Sequence, residues 1–347
     1  MNNLVFLSLP GFRPSDLDKM PRLSALMASG DRQPLSASFP AVTWPVQANM
    51  LTGCRPNQHG VVANGWAVEA RIYAEDPSRG FLPAPGRLVR YRPPETVGAR
   101  IDTGVFEGAE VSLYYDPMIA KLCAHGASRA QAIERLGDAL DGFEIAGPGD
   151  NLAFLGAVMS HPRFRDGDLT TAFIDDEFGE TYDGVALTGE LIETLLGAAV
   201  LVQLREDERC HGMSGRVAGG TWSPRRHWGV SIDGEIHWVE ASLNEASVNM
   251  ITGKGRVTLE SDWRAGETLL RGVIQDRPVT LRVNRQGEGY RLCHRGADVM
   301  AVARPEPVAR LAVTMPAKAV PDRSRYLLSP MPGRVIAIAV KPGQAFK

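Results

Sequence analysis

Apolar and polar positions fall into successive blocks with different periods along this chain. Residues 4–9, "LVFLSL", form a short apolar run that ends in the loop-forming "PGFRPSD", which predicts a buried strand and a turn. Leu23, Leu26 and Met27 then share one helical face, with Gly30 as its stop. A second helix is expected in "SFPAVTWPVQANMLTG", with Thr43 as N-cap, Pro45 in the first turn and Gly53 at its end. From Ala67 the period becomes two. Val68, Ala70 and Ile72 fall on one side of a strand, Glu69 and Arg71 on the other. "GRLVRYRPP" reads as another alternating strand ended by prolines. "GARIDTGVFEGAEVSLYYDPMIAKLCAHG" predicts short strands with glycine turns, then a short apolar helix from Pro117. "SRAQAIERLGDALDGFEIAG" is an amphipathic helix: Ser128 and Gln131 form a capping box, and Ile133, Leu136, Leu140 and Phe143 make the stripe.

Further on, "TGELIETLLGAAVLVQLRED" is a helix capped by Thr188 and apolar on most sides, so something must enclose it. A string of short strands follows, from "HWGVSID" to "GYRLCHRG", separated by turns such as "DG", "GKG" and "QGEG". A barrel wrapped round one helix satisfies both signals. "PEPVARLAVTMPAKAVPDRSR" reads as an extended proline-rich linker, and "YLLSPMPGRVIAIAVKPGQAFK" as the start of a small strand domain. The expected architecture is multidomain α+β. An α/β fragment (1–66) precedes an α+β domain (67–178), an antiparallel β-barrel around a helix (179–322), and a linker with a truncated hairpin domain (323–347).

Composition narrows the partners. A net charge of −2 gives no electrostatic reason to expect nucleic acid or an anionic membrane. No apolar run approaches the ~20 residues of a membrane span. The apolar start lacks the basic flank of a signal peptide. The four cysteines are far apart in sequence, with no CxxC pattern, which fits a reducing cytosol and a cytoplasmic location. The charged run of Glu69, Arg71, Glu75 and Asp76 reads as a solvated face, and "SPRRHW" as a small basic surface cluster. From spacing alone, Arg100 is a strand residue paired with Asp102 or Glu110, and Asp116 a loop anchor or a contact.

The first block, "FPAVTWPVQANMLTGCRPNQHGVVANGW", resembles the alkaline phosphatase superfamily in its type I phosphodiesterase branch. The resemblance implies Thr43 as nucleophile, at a helix N-terminus suited to phosphate, and Asn64 as a hydrogen-bond donor to a phosphoryl oxygen. It also implies two zinc-type ions. Ser8 stands where the family has an aspartate ligand, and nothing after Trp66 resembles the remaining ligands; His59 is an isolated loop residue.

The second block, with "AVEARIYAEDP", "FLP" and "YDPMIAKL", closely resembles the C-terminal part of biotin carboxylase. The resemblance implies that Arg100, in "GARIDTG", holds the biotin enolate. The ureido oxygen becomes negative when biotin loses its proton, and an arginine keeps its charge and offers a fork of donors. Biotin, ATP and magnesium are the implied cofactors. The ATP-grasp elements and the biotinyl-lysine motif have no counterpart in this sequence, and no GxxxxGK[ST] replaces them. The third block resembles the BT domain of propionyl-CoA-type carboxylases. That implies docking of carboxyltransferase beta subunits through residues 179–322, and the last block resembles the first strands of the biotin carrier domain, a further implied partner.

The two resemblances meet at "NGW", so the chain is expected to be a fusion joined at Gly65–Trp66. The leading expectation is a partial alpha subunit of a biotin-dependent acyl-CoA carboxylase, inactive alone. A metal-dependent phosphodiesterase and a non-catalytic docking module are the alternatives.

Overall fold

A computed structural model describes residues 65–315, apart from 113, 115, 215–222, 245–246 and 254, together with 337–338. Thr43, Asn64, Ser8, His59, the two expected N-terminal helices and nearly all of 323–347 lie outside the described residues.

The alternation at 66–73 becomes strand β1 (Trp66–Tyr73), whose Ala70 and Ile72 are buried. Short pieces follow: β2 (Glu75–Asp76), β3 (Leu82–Pro83), β4 (Gly86–Arg87), β5 (Arg90–Arg92), β6 (Ala99–Thr103), β7 (Glu110–Val111), β8 (Met118–Gly126) and β9 (Glu144–Ala146). "GRLVRYRPP" is therefore not one strand. Its halves pair separately, β4 with β7 and β5 with β9, because Leu88 turns inward between them with no exposed surface.

Residues from 118 form strand β8 where the apolar run suggested a helix. A short apolar stretch does not by its period separate a buried strand from a helix. Here Ala120, Leu122 and Ala124 point inward while Lys121 and Cys123 stay partly open, a period of two. Strand β8 is the centre of a three-stranded antiparallel sheet, flanked by β1 and β6.

Helix α1 (Arg129–Asp141) covers the inward face of that sheet. Its N-cap is built as expected: Ser128 Oγ accepts from Gln131 N at 3.2 Å. The glutamine reaches back one residue further, accepting from Ala127 N at 2.7 Å. Ile133, Leu136 and Leu140 join Ile72, Leu122 and Phe143 in one core. Three further helices, α2 (Leu152–Ser160), α3 (Pro162–Asp166) and α4 (Phe173–Phe178), complete this part.

Helix α5 (Gly189–His211) is the enclosed helix. Thr188 is its N-cap, but its side chain makes no capping hydrogen bond. Eight antiparallel strands close round it as a barrel: β10 (His227–Ile232), β11 (Glu235–Leu243), β12 (Ser247–Thr252), β13 (Gly255–Glu260), β14 (Leu269–Ile274), β15 (Arg277–Gln286), β16 (Gly289–His294) and β17 (Ala297–Pro305). Leu195, Ala198, Leu201 and Val202 of α5 share one core with Trp228, Val248, Leu259 and Leu281 of the strands. Closure leaves no open sheet edge.

Residues 306–313, expected as extended linker, form helix α6 (Glu306–Val313). Pro305 sits at the N-cap and Pro307 in the first turn, where a missing N–H costs no hydrogen bond. Proline there starts a helix rather than preventing one.

Candidate functional site

The outward face of the three-stranded sheet carries the sequence-derived site. The register sets Arg100 opposite Cys123, and Cys123 opposite Glu69 on the other flank. The next row on the same face runs Asp102, Lys121, Arg71. Alternation forces this: the neighbours Ile101, Leu122 and Ala70 face the core, so these polar side chains must share the open side.

Arg100 Nη2 donates to Asp102 Oδ2 at 2.9 Å, and its side chain remains 68% exposed. Of the two partners open to it from sequence, Asp102 is the one bonded. The same nitrogen lies 3.9 Å from Cys123 Sγ. Cys123 in turn lies 3.7 Å from Glu69 Oε2, and Glu69 Oε1 accepts from Arg71 Nε at 3.1 Å. The result is a chain of groups across three strands. Glu69 is occupied by Arg71, and Asp102 is the carboxylate bonded to Arg100.

The hydrogen bond that Arg100 donates to Asp102, and then the charge of that carboxylate, hold Arg100 above the ordinary guanidinium range. Burial pushes the Cys123 thiol up, Glu69 adds to this, and Arg100 pulls the other way. Among the described residues Arg100 Nε and Nη1 have no hydrogen-bond partner, so donors remain for a small acceptor placed over the sheet. That donor set fits a ureido oxygen that gains negative charge. No group of three or more His, Cys, Asp and Glu converges as metal ligands among the described residues.

Sequence reading singled out Arg100 but not the thiol and lysine that share its sheet face. Their signal was the polar alternation of Lys121 and Cys123 within "MIAKLCAHG", hidden by the helix expectation. Asp116 resolves as a loop anchor, its Oδ1 accepting from Met118 N at 3.1 Å. Glu75, assigned to a solvated face, is half-buried, and burial followed by the charge of Asp116 raises its carboxyl above the usual range.

Comparison with known proteins agrees with this layout. Residues 69–176 match the family model of the biotin carboxylase C-terminal domain, and residues 195–318 that of the propionyl-coenzyme A carboxylase BT domain. Residues 4–79 match type I phosphodiesterase / nucleotide pyrophosphatase, weakly. Where the first and third matches overlap, β1 is hydrogen-bonded into the carboxylase sheet along its whole length.

These matches, with the relatives that follow, show that the chain carries two domains of the biotin-dependent carboxylase family. Over most of its length it is similar to propionyl-CoA carboxylase alpha chains. It is 40% identical over 308 residues to that of Ruegeria pomeroyi, covering 83% of this chain and 45% of the relative. It is 34% identical over 304 residues to the human mitochondrial alpha chain, covering 84% and 41%. Among solved structures, the biotin carboxylase domain of thermophilic 2-oxoglutarate carboxylase bound to bicarbonate is 35% identical over 38% of this chain and 30% of that one, with a TM-score of 0.34. The chain thus spans less than half the length of the curated relatives it matches. No helix among the described residues is long and apolar enough to cross a membrane.

Proposed function

We propose that this chain is part of the alpha subunit of a biotin-dependent acyl-CoA carboxylase of the propionyl-CoA type. Residues 67–178 form its biotin carboxylase C-terminal domain, and residues 179–322 an assembly domain that docks carboxyltransferase beta subunits. In the parent reaction bicarbonate would supply the carboxyl group, ATP would activate it by phosphoryl transfer, and magnesium would support that phosphoryl chemistry. Arg100 contributes by holding the ureido oxygen of biotin while negative charge develops there. Asp102 holds one nitrogen of the guanidinium. The observation that supports this reading is the exposed Arg100 fork, fixed at one nitrogen and with Nε and Nη1 unengaged.

The polypeptide alone is read as inactive, because residues 1–64 do not provide the glycine-rich loop, lysine and glutamates that ATP and magnesium require. Bicarbonate-dependent ATP hydrolysis by the purified chain is expected at background, and turnover above it would overturn this reading. The role of Arg100 has its own test. In a spectrum of the 15N-arginine-labelled chain, the Nε–H signal absent from Arg100→Lys should move on titration with biotin. A signal that stays fixed up to the solubility limit of biotin would remove Arg100 from the site.

A further inference from the structure

A hollow of about 440 Å³ opens where the carboxylase domain meets the barrel. That size suits a small molecule. Its wall draws on elements far apart in sequence: Arg90 of β5, Arg209 of α5, and Arg285 with Tyr290 of the β15–β16 hairpin. The register sets Arg285 directly opposite Tyr290, so the two side chains rise from one face of that hairpin.

These three guanidinium groups meet two carboxylates in the wall, Glu206 and Glu267, and a third, Glu144, stands beside Arg90. The carboxylates are engaged. Glu206 accepts from Arg209 at 2.6 and 3.0 Å and from Arg285 at 3.3 Å. Glu144 Oε2 accepts from the Thr268 hydroxyl, and Glu267 Oε2 from Arg264 N at 3.2 Å. Several donors are not engaged. Arg90, with its side chain 32% exposed, makes no hydrogen bond among the described residues, and Glu144 is 3.8 Å away, beyond hydrogen-bond reach. Tyr290 is 9% exposed and its ring belongs to the barrel core, yet its hydroxyl has no hydrogen-bond partner among the described residues. Arg285 bonds through Nη1 only. A covered donor without an acceptor is costly, and native folds leave few of them.

Unused donors from both domains therefore line one hollow, and what they lack is an acceptor. Forked guanidinium groups and a phenol hydroxyl suit the oxygens of an oxyanion. A cation finds no equivalent place, since Glu206 already holds two arginines. We infer that this hollow binds a small molecule through a carboxylate or phosphate group, held by Arg90 of the carboxylase domain and by Arg285 and Tyr290 of the barrel. Such a ligand bridges the two domains. The site is separate from the Arg100 face, because β5 pairs with β9 and not with the three-stranded sheet.

The test titrates the full 15N-arginine-labelled chain with inorganic phosphate and, separately, with acetate, at constant ionic strength. The Nε–H signal that is absent from Arg90→Lys is expected to move and to saturate at about millimolar concentration of at least one of them. The signal absent from Arg310→Lys, on α6, should stay fixed. Which of the two anions acts identifies the group the site takes. Should Arg90→Lys fail to fold, Arg285→Lys supplies the assigned signal. Tyr290→Phe removes only the hydroxyl and is expected to weaken the affinity about tenfold. Its urea midpoint in anion-free buffer should match that of the parent chain, because the hydroxyl bonds nothing there; a purely structural role would lower it. No saturable movement with either anion, equal movement of the Arg310 signal, or undiminished affinity in Tyr290→Phe overturns the inference.

Discussion

Around Arg100 the chemistry depends on what already holds the guanidinium. Asp102 takes one nitrogen, and the adjacent Cys123 thiol reports where the positive charge sits. Arg100 lowers the affinity of that thiol for its proton, against burial and Glu69, which raise it. Arg100→Gln should therefore raise the Cys123 pKa and slow its alkylation by iodoacetamide at about pH 8, where the thiolate is the reactive form. A rate that does not fall would mean the guanidinium is not beside the sulfur. The strand position of Arg100 and its pairing with Asp102 were legible from spacing alone. Cys123 and Lys121 were not, since their meaning depends on β8 being a strand paired on both sides, a tertiary fact.

Single elements show how far local sequence determines local structure. Ser128 both reads and acts as an N-cap, so Ser128→Ala should cost about 1 kcal/mol in a urea titration. Thr188 reads equally well as a cap, yet its hydroxyl makes no capping bond. Thr188→Ala should accordingly cost clearly less than Ser128→Ala in the same measurement. Most of the barrel strands were legible because apolar and polar residues alternate along them and turn residues such as Asp233, Gly234 and Gly287 separate them. Helix α6 was missed because prolines at 305 and 307 suggested a linker. What decides its state is the fit of Ala309 against Gly229, which no local window contains.

Among the described residues, the carboxylase domain and the barrel are joined at a turn. Between β16 and β17, Arg295 and Gly296 both take positive φ, 47° and 92°, and the turn packs against α1 and α2. Arg295 N donates to Asp141 Oδ1 at 2.9 Å, and its guanidinium reaches Glu134 at 2.8 Å and also bonds Asp138. Tyr182 donates its hydroxyl to Gly296 O at 2.6 Å. A Cβ at 296 would meet Ala157 Cα at 2.7 Å, so Gly296→Ala should destabilise the chain by at least about 2 kcal/mol in a urea titration. None of this was legible in sequence, because the partners lie more than a hundred residues apart.

Close by, burial pushes the Cys293 thiol up to about 12; Arg282 opposes this and Asp298 adds to it. An unfolded thiol titrates near about 8.5, so this contribution to stability is complete below that pH and fades as pH rises toward 12. The urea midpoint should fall over that alkaline window, and Cys293→Ala should flatten the fall.

The clamped turn has a mechanical consequence. A joint wedged between two helices and tied by several polar bonds does not swivel, so the carboxylase domain and the barrel behave as one bracket.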